Sequence, residues 1–293
     1  MTLTRRRFTL VLGGGLAALP VMPGLAKNAP DTLTQTIIDL ETRLQGRFGV
    51  LIHDTETGKR WQHRADERFP MCSTFKYVLA AAILARVEAG EDKLDRRLPI
   101  TAADLVPYAP VTQPQVGKTL TLAELCHAAV TVSDNTAANL LLRVLGGPAA
   151  LTGFLRRIGD NVTRLDRWEP ELNSALPGDP RDTTTPAAMT RTLENLLLGP
   201  ALTPASKTQL TLWLIANTTG DAKVRAGLPK SWRVGDKTGS GARGTMNDVV
   251  AIWPPQRKPV LLSLYLTETK ASMEDRNAAF AAVGTAIAGM LGG

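Results

Sequence analysis

Residues 73–88 form a long, alanine-rich and almost uniformly apolar run. Read as a helix, such a run has no polar face and must be buried on most of its sides. The fold therefore has to wrap other elements around it. A chain of 293 residues, 44% hydrophobic and 21% charged, has the material to do so in one large domain or two. Ser73 stands at the N-terminus of this helix. Lys76 lies in its first turn, three residues on and on the same face.

Residues 34–45 carry Ile37, Ile38 and Leu44 at helical spacing. Residues 48–53 read as a strand, 54–58 as a turn and 59–63 as the returning strand of a hairpin. Helical patterns follow at 122–130, 136–144, 149–158, 187–198 and 204–217. Between them, residues 160–185 are polar and rich in proline, and a loop of that length in a compact domain is functional or disordered. Residues 232–237, 245–253 and 260–267 read as strands, and 273–291 as a terminal helix. Both ends supply helix and strand, and the middle is helical. The expected class is α+β: an antiparallel sheet flanked by N- and C-terminal helices (residues 30–68 and 218–293) beside an inserted all-helical domain (residues 69–217) that includes the 160–185 loop. A cleft between the two is the expected place for a site.

Four short blocks carry the chemistry: Ser73-Thr74-Phe75-Lys76, Ser133-Asp134-Asn135, Glu169-Pro170-Glu171-Leu172-Asn173 and Lys237-Thr238-Gly239. Each is weak alone. A chain of this size holds roughly one Ser-x-x-Lys by chance, and Ser133-Asp134-Asn135 could be only a helix cap. Together they supply complementary parts. A serine hydroxyl is a poor nucleophile until a base takes its proton. At a helix N-terminus, Ser73 gains from backbone N–H groups aimed at developing negative charge. Burial disfavours the charged form of Lys76 and a carboxylate neighbour favours it. A nucleophile, bases, a proton shuttle and an anion clamp make a set for acyl transfer through a serine ester, followed by hydrolysis of that ester. This set calls for no metal and no cofactor. His53, His63 and His127 are scattered without metal-ligand spacing, which argues against a zinc hydrolase.

The formal charge is +7, and residues 1–26 hold three arginines and no acid, so a chain without them carries +4. The excess is spread along the sequence, which fits a soluble basic surface and not a nucleic-acid footprint. Residues 4–10 make a basic start with a twin arginine. Residues 10–25 are apolar, and small residues precede a cleavage point near Ala26. Glycines and prolines in this stretch argue against a stable membrane anchor. Residues 1–26 are thus expected to be a twin-arginine signal peptide, engaging the twin-arginine translocation machinery and delivering the protein to the periplasm. No heptad or repeat suggests assembly, so a monomer is expected.

The trio around Ser73, Ser133 and Lys237 is a known signature of class A β-lactamases and penicillin-binding proteins. From about Thr32 to its C-terminus the chain resembles a class A serine β-lactamase, closest to the chromosomal Gram-negative type whose nucleophile block reads Met-Cys-Ser-Thr-Phe-Lys, here Met71 to Lys76. Arg167 with Asp182 and the run 179–186 also match. The resemblance implies hydrolysis of β-lactam antibiotics, and resistance to them, through an acyl-enzyme on Ser73. The N–H groups of Ser73 and Ser240 would form the oxyanion hole, and Ser133 would protonate the β-lactam nitrogen. Lys237, Thr238 and Ser240 would hold the substrate carboxylate, Asn135 its side-chain amide, and Tyr108 would stand at the cleft mouth. Glu169 and Asn173 would hold the deacylating water, with a cis bond before Pro170, and Arg167 and Asp182 would clamp the loop. Whether Lys76 or Glu169 takes the Ser73 proton stays open. Family disulfides join a cysteine matching Cys126 to a site matching Ala80, or one matching Cys72 to a site matching Gly241. Each partner is missing here, so two free thiols are expected.

One departure stands out. Many members have an arginine on the strand after Lys237-Thr238-Gly239, where this chain reads Thr245-Met246-Asn247. Lys223 and Arg276 are candidate substitutes, although a lysine offers a point charge and no bidentate fork. A penicillin-binding DD-peptidase or a β-lactam sensor domain would share the three blocks. The peptidase would not need Glu169 and Asn173, and a sensor would normally need a membrane tether, which the sequence does not show; both points favour the hydrolase.

Overall fold

A computed structural model describes Thr2 and residues 32–292. Apart from Thr2, the expected signal peptide lies outside the described residues. After helix α1 (Thr32–Leu44) come strands β1 (Arg47–Asp54) and β2 (Arg60–His63), joined by the expected turn. The chain returns to the same sheet at its end with β7 (Arg233–Ser240), β8 (Met246–Trp253), β9 (Val260–Thr267) and the terminal helix α8 (Met273–Met290). The five strands are antiparallel in the order β2-β1-β9-β8-β7.

Both faces of this sheet are covered, and the strands alternate between two cores as their period of two requires. Leu261 and Tyr265 of β9, with Val249 and Ala251 of β8, join the core of the helical half. Leu262, Leu264 and Leu266, with Val250 and Ile252, face α1 and α8. Between the two halves of the sheet run α2 (Phe75–Glu88), α3 (Leu122–Thr131), α4 (Asn135–Leu145), α5 (Pro148–Arg157), α6 (Pro186–Leu197) and α7 (Pro204–Ile215). Helix α2 is the centre of that group. Every residue from Phe75 to Leu84 is buried, which the all-apolar run 73–88 demanded. It ends at Gly90, whose φ of +73° is a left-handed conformation that glycine adopts without strain.

The antiparallel sheet beside a helical middle is as expected, and the structure adds two details. Two short ribbons interrupt the helical middle. β3 (Phe69–Pro70) pairs with β6 (Thr183–Thr184), and β4 (Arg97–Pro99) pairs with β5 (Thr119–Thr121). Strands of two or three residues are too short to leave a readable period. The first of these ribbons ties the approach to Ser73 to the end of the 160–185 loop. In addition, β7 does not stop at residue 237. It continues to Ser240, because Gly239 and Ser240 pair with Asn247 and Met246 of β8.

Cys72 and Cys126 are both free and buried, and burial pushes both thiols far above their ordinary range. The histidines are held locally: His53 Nδ1 lies 3.2 Å from Glu194 and His63 Nε2 lies 2.8 Å from Glu41. Among the described residues, no three His, Cys, Asp or Glu side chains are grouped to hold a metal ion, and no single helix is long and apolar enough to cross a membrane.

Candidate active site

The turn before α2 is a short 3-10 segment, Cys72–Thr74, formed as the Met71 carbonyl accepts the N–H and the hydroxyl of Thr74. Ser73 therefore sits just ahead of the α-helix proper, in the 3-10 segment that leads into it, and Lys76 follows in the first turn of the helix. The Ser73 hydroxyl donates to Glu169 Oε1 at 3.2 Å. Lys76 is fully buried. Its Nζ meets the Ser133 carbonyl at 2.8 Å, Asn135 Oδ1 at 2.6 Å and Glu169 Oε1 at 3.0 Å. Three acceptors match the three donors of an ammonium group. Burial nonetheless draws its pKa below the ordinary lysine value, against the pull of Glu169.

Ser133 projects from the turn before α4 with a left-handed φ of +63°. Asp134 fixes that turn. Its carboxylate caps α4 by accepting the Ala137 N–H and also holds Val111 and Thr112. Lys237 Nζ reaches Ser133 Oγ at 3.1 Å from β7, so both lysines approach the Ser133 hydroxyl. Burial, and then the nearby charge of Lys76, pushes Lys237 down to about 7, with Asp236, Asp248 and Glu169 opposing. Burial and the neighbouring Asp236 hold the Asp248 carboxyl well above the usual carboxylate range.

The 160–185 loop delivers Glu169 and Asn173. Arg167 Nε contacts Asp182 Oδ2 at 2.5 Å, and Asp182 Oδ1 accepts the N–H groups of Asp166 and Arg167. This joins the two ends of the loop. The Glu169-Pro170 bond is cis. Glu169 is buried, and Asn173 Nδ2 donates to its Oε2 at 2.5 Å.

A cavity of about 340 Å³ opens over these groups. Ser73, Ser133, Asn135, Asn173, Thr238 and Ser240 line it, and Tyr108 stands at its mouth, 59% exposed. Lys223 lines it too, with Nζ donating to the Thr219 carbonyl at 2.8 Å. Arg276 does not line it and donates instead to the carbonyl of Ser272, which caps α8. Of the two candidates for the missing arginine, Lys223 alone is brought to the cavity.

Two residues escaped the sequence reading. Asn139 grips the Glu169 backbone on both sides, with Nδ2 to its carbonyl at 2.9 Å and Oδ1 from its N–H at 3.0 Å. It follows Asn135 by four residues, so the helical repeat of α4 was the signal that could have found it. Thr219 lines the cavity and its hydroxyl lies 2.5 Å from that of Thr238. No sequence pattern marks it.

Comparison with known proteins agrees with this arrangement. A model of the β-lactamase enzyme family matches residues 32–291. Beta-lactamase L2 of Stenotrophomonas maltophilia is 50% identical over 294 residues, covering 96% of this chain and 97% of its own. Beta-lactamase Toho-1 of Escherichia coli is 48% identical over 284 residues, covering 96% and 97%. Among solved structures, an ancestral class A β-lactamase matches with a TM-score of 0.87 at 61% identity, covering 88% of this chain and 99% of the ancestral one. The chain belongs to the β-lactamase enzyme family and, within it, to the class A serine β-lactamases.

Proposed function

We propose that this enzyme hydrolyses the β-lactam amide of antibiotics, and so confers resistance to them, through an ester on Ser73 that is released by water activated at Glu169. The observation that carries the reading is the placement of Glu169 Oε1 within 3.2 Å of the Ser73 hydroxyl and 3.0 Å of Lys76. Ser73 Oγ attacks the lactam carbonyl and its proton passes to Glu169. The three acceptors around Lys76 support an ammonium there in the resting site, which favours Glu169 over Lys76 as the acceptor. The oxyanion forms against the N–H groups of Ser73 and Ser240, aimed in advance at the developing charge. As the carbon–nitrogen bond breaks, Ser133 gives its proton to the leaving nitrogen, and the proton held on Glu169 passes through Lys76, which contacts both Glu169 and the Ser133 hydroxyl, to restore Ser133 and return Glu169 to its carboxylate form. Water then attacks the ester carbonyl and Glu169 takes its proton. Ser73 leaves with a proton returned, and a ring-opened product carries the new carboxylate.

Lys237, Thr238 and Ser240 bind the substrate carboxylate in this reading, with Lys223 as a second positive charge at the cavity. Asn135 and Asn173 hold the acylamino side chain and the water, Asn139 steadies Glu169, and Tyr108 bounds the mouth. Residues 69–217, with their two short ribbons, form one wall of the cleft, and residues 30–68 and 218–293 form the other. The twin-arginine pattern supports residues 1–26 as an export signal and the periplasm as the destination of a monomeric enzyme. The test is turnover with mapping of the intermediate. The enzyme consumes many equivalents of a chromogenic cephalosporin, and acid quenching under saturation leaves the adduct on the peptide holding Ser73. A single burst with a persistent adduct would instead indicate a peptidase or sensor.

The pKa of Lys237 sets a pH dependence. Below pH 7 the lysine is charged, and above it the neutral form prevails, so attraction for an anionic substrate declines as pH rises through about 7. For a penicillin bearing a free carboxylate, kcat/KM is expected to fall on that limb, which reports groups of the free enzyme. Lys237→Arg keeps its charge at every pH and should flatten the limb. A limb that survives in the arginine variant would assign it to another group.

A further inference from the structure

Asn247 on β8 is fully buried, yet it carries a polar side chain in a strand whose neighbours are almost all apolar. Its Nδ2 donates to two successive carbonyls, Pro70 and Met71, at 2.9 Å each. Its Oδ1 is buried and has no hydrogen-bond partner among the described residues. A buried polar atom left unsatisfied is destabilising, and its presence in a native fold calls for a reason. An apolar residue of similar volume would avoid that penalty.

The reason lies in what the donor holds. Met71 precedes the turn Cys72–Thr74, and its carbonyl also accepts the N–H and hydroxyl of Thr74. The Thr74 hydroxyl in turn lies 3.3 Å from that of Tyr265. Gly239, Asn247 and Tyr265 are direct neighbours across β7, β8 and β9. A Cβ at Gly239 would lie 2.7 Å from the Met71 carbonyl, so the nucleophile turn rests directly on the β7 backbone at that row. Ser240 is the next residue on β7. Between the held Met71 carbonyl and Ser73 stands only Cys72, itself in a left-handed conformation with φ of +44°. A backbone so placed persists when its surroundings dictate it.

We propose that Asn247 is a positioning residue for the oxyanion hole: by hooking the Pro70 and Met71 carbonyls to β8, it sets the N–H of Ser73 at a fixed separation from the N–H of Ser240. It touches neither substrate nor reacting atoms. The inference rests on the reading of those two N–H groups as oxyanion donors, and it implies that acylation and deacylation weaken together when the hook is lost.

The experiment uses Asn247→Leu and, should that variant fold poorly, Asn247→Ser. Loss of a whole oxyanion donor costs about 100- to 1,000-fold in rate in a model protease, so a displaced donor should reduce kcat by roughly 10- to 100-fold with little change in KM. The decisive readout is the carbonyl stretch of the ester trapped in a Glu169→Ala background. Loss of polarisation moves the band to higher wavenumber, which a fold merely made less stable would not do. If acid quenching of the enzyme with Glu169 intact finds no adduct on Ser73, the underlying catalytic reading fails. If the adduct forms and the band and kcat are unchanged in a folded Asn247 variant, the positioning role is overturned.

Discussion

Replacing Glu169 by alanine is expected to turn the enzyme into a trap that acylates and stays acylated. Glu169 is buried, faces Ser73 and Lys76, and is held by Asn173 at one oxygen and by Asn139 at both sides of its backbone. Water must lose a proton as it attacks the ester, and a positioned base contributes about 100- to 10,000-fold to such a step. Without the carboxylate, kcat should fall by that order or more. Ester formation should survive to a measurable degree, because Ser73, the backbone N–H groups and Lys237 remain in place. Intact mass spectrometry after mixing with a penicillin should find one stable adduct per protein, persisting for minutes to hours. Unchanged turnover would exclude Glu169 as the deacylation base. A variant that neither turns over nor acylates would show that Glu169 is indispensable to the first step as well, as the proposed acceptor of the Ser73 proton.

The second large effect is structural and concerns the loop that carries Glu169. Asp182 is fully buried. It receives the Arg167 guanidinium and the N–H groups of Asp166 and Arg167, and Arg167 also donates to Ser174. Removing one partner of a buried pair leaves the other charge without compensation, at a cost of about 3–5 kcal/mol. Arg167 keeps some contact with solvent, so Asp182→Ala should lie near the lower figure. That corresponds to a Tm reduced by roughly 6–12 °C for a protein of this size. Because the pair closes the loop on itself, the variant should lose deacylation more than acylation, and burst amplitude should rise relative to steady-state rate. A melting curve superimposable on that of the parent would sink this account of the clamp.

Much of the fold is legible in the sequence. The run 73–88 required a helix wrapped on all sides, and α2 is so placed. Strand β9 is legible to its ends, since Val260–Thr267 is rich in leucine, follows Lys258-Pro259 and stops before Glu268. What stayed hidden was short or non-local. The β3–β6 and β4–β5 ribbons have no measurable period, and their strands are stabilised by partners far off in sequence. The extension of β7 through Gly239 and Ser240 depends on pairing with β8 and not on propensity, since glycine and serine are weak strand formers.

For the site, the four blocks named Ser73, Lys76, Ser133, Asn135, Glu169, Asn173, Lys237 and Thr238, because the chemistry of acyl transfer needs those residue types and local spacing keeps several of them on one turn. Sequence alone thus supplied the candidate inventory: a serine placed as nucleophile, possible bases, a candidate anion clamp, and a central helix that had to be buried. The tertiary structure decided the contacts. It chose Lys223 over Arg276 as the cation at the cavity, brought Glu169 from a distant loop to Ser73, and drew in Asn139, Thr219 and Asn247. Those choices depend on chain segments separated by tens to hundreds of residues, and a hydrogen bond acts only over a few ångströms, so only packing of the two halves against each other could set them.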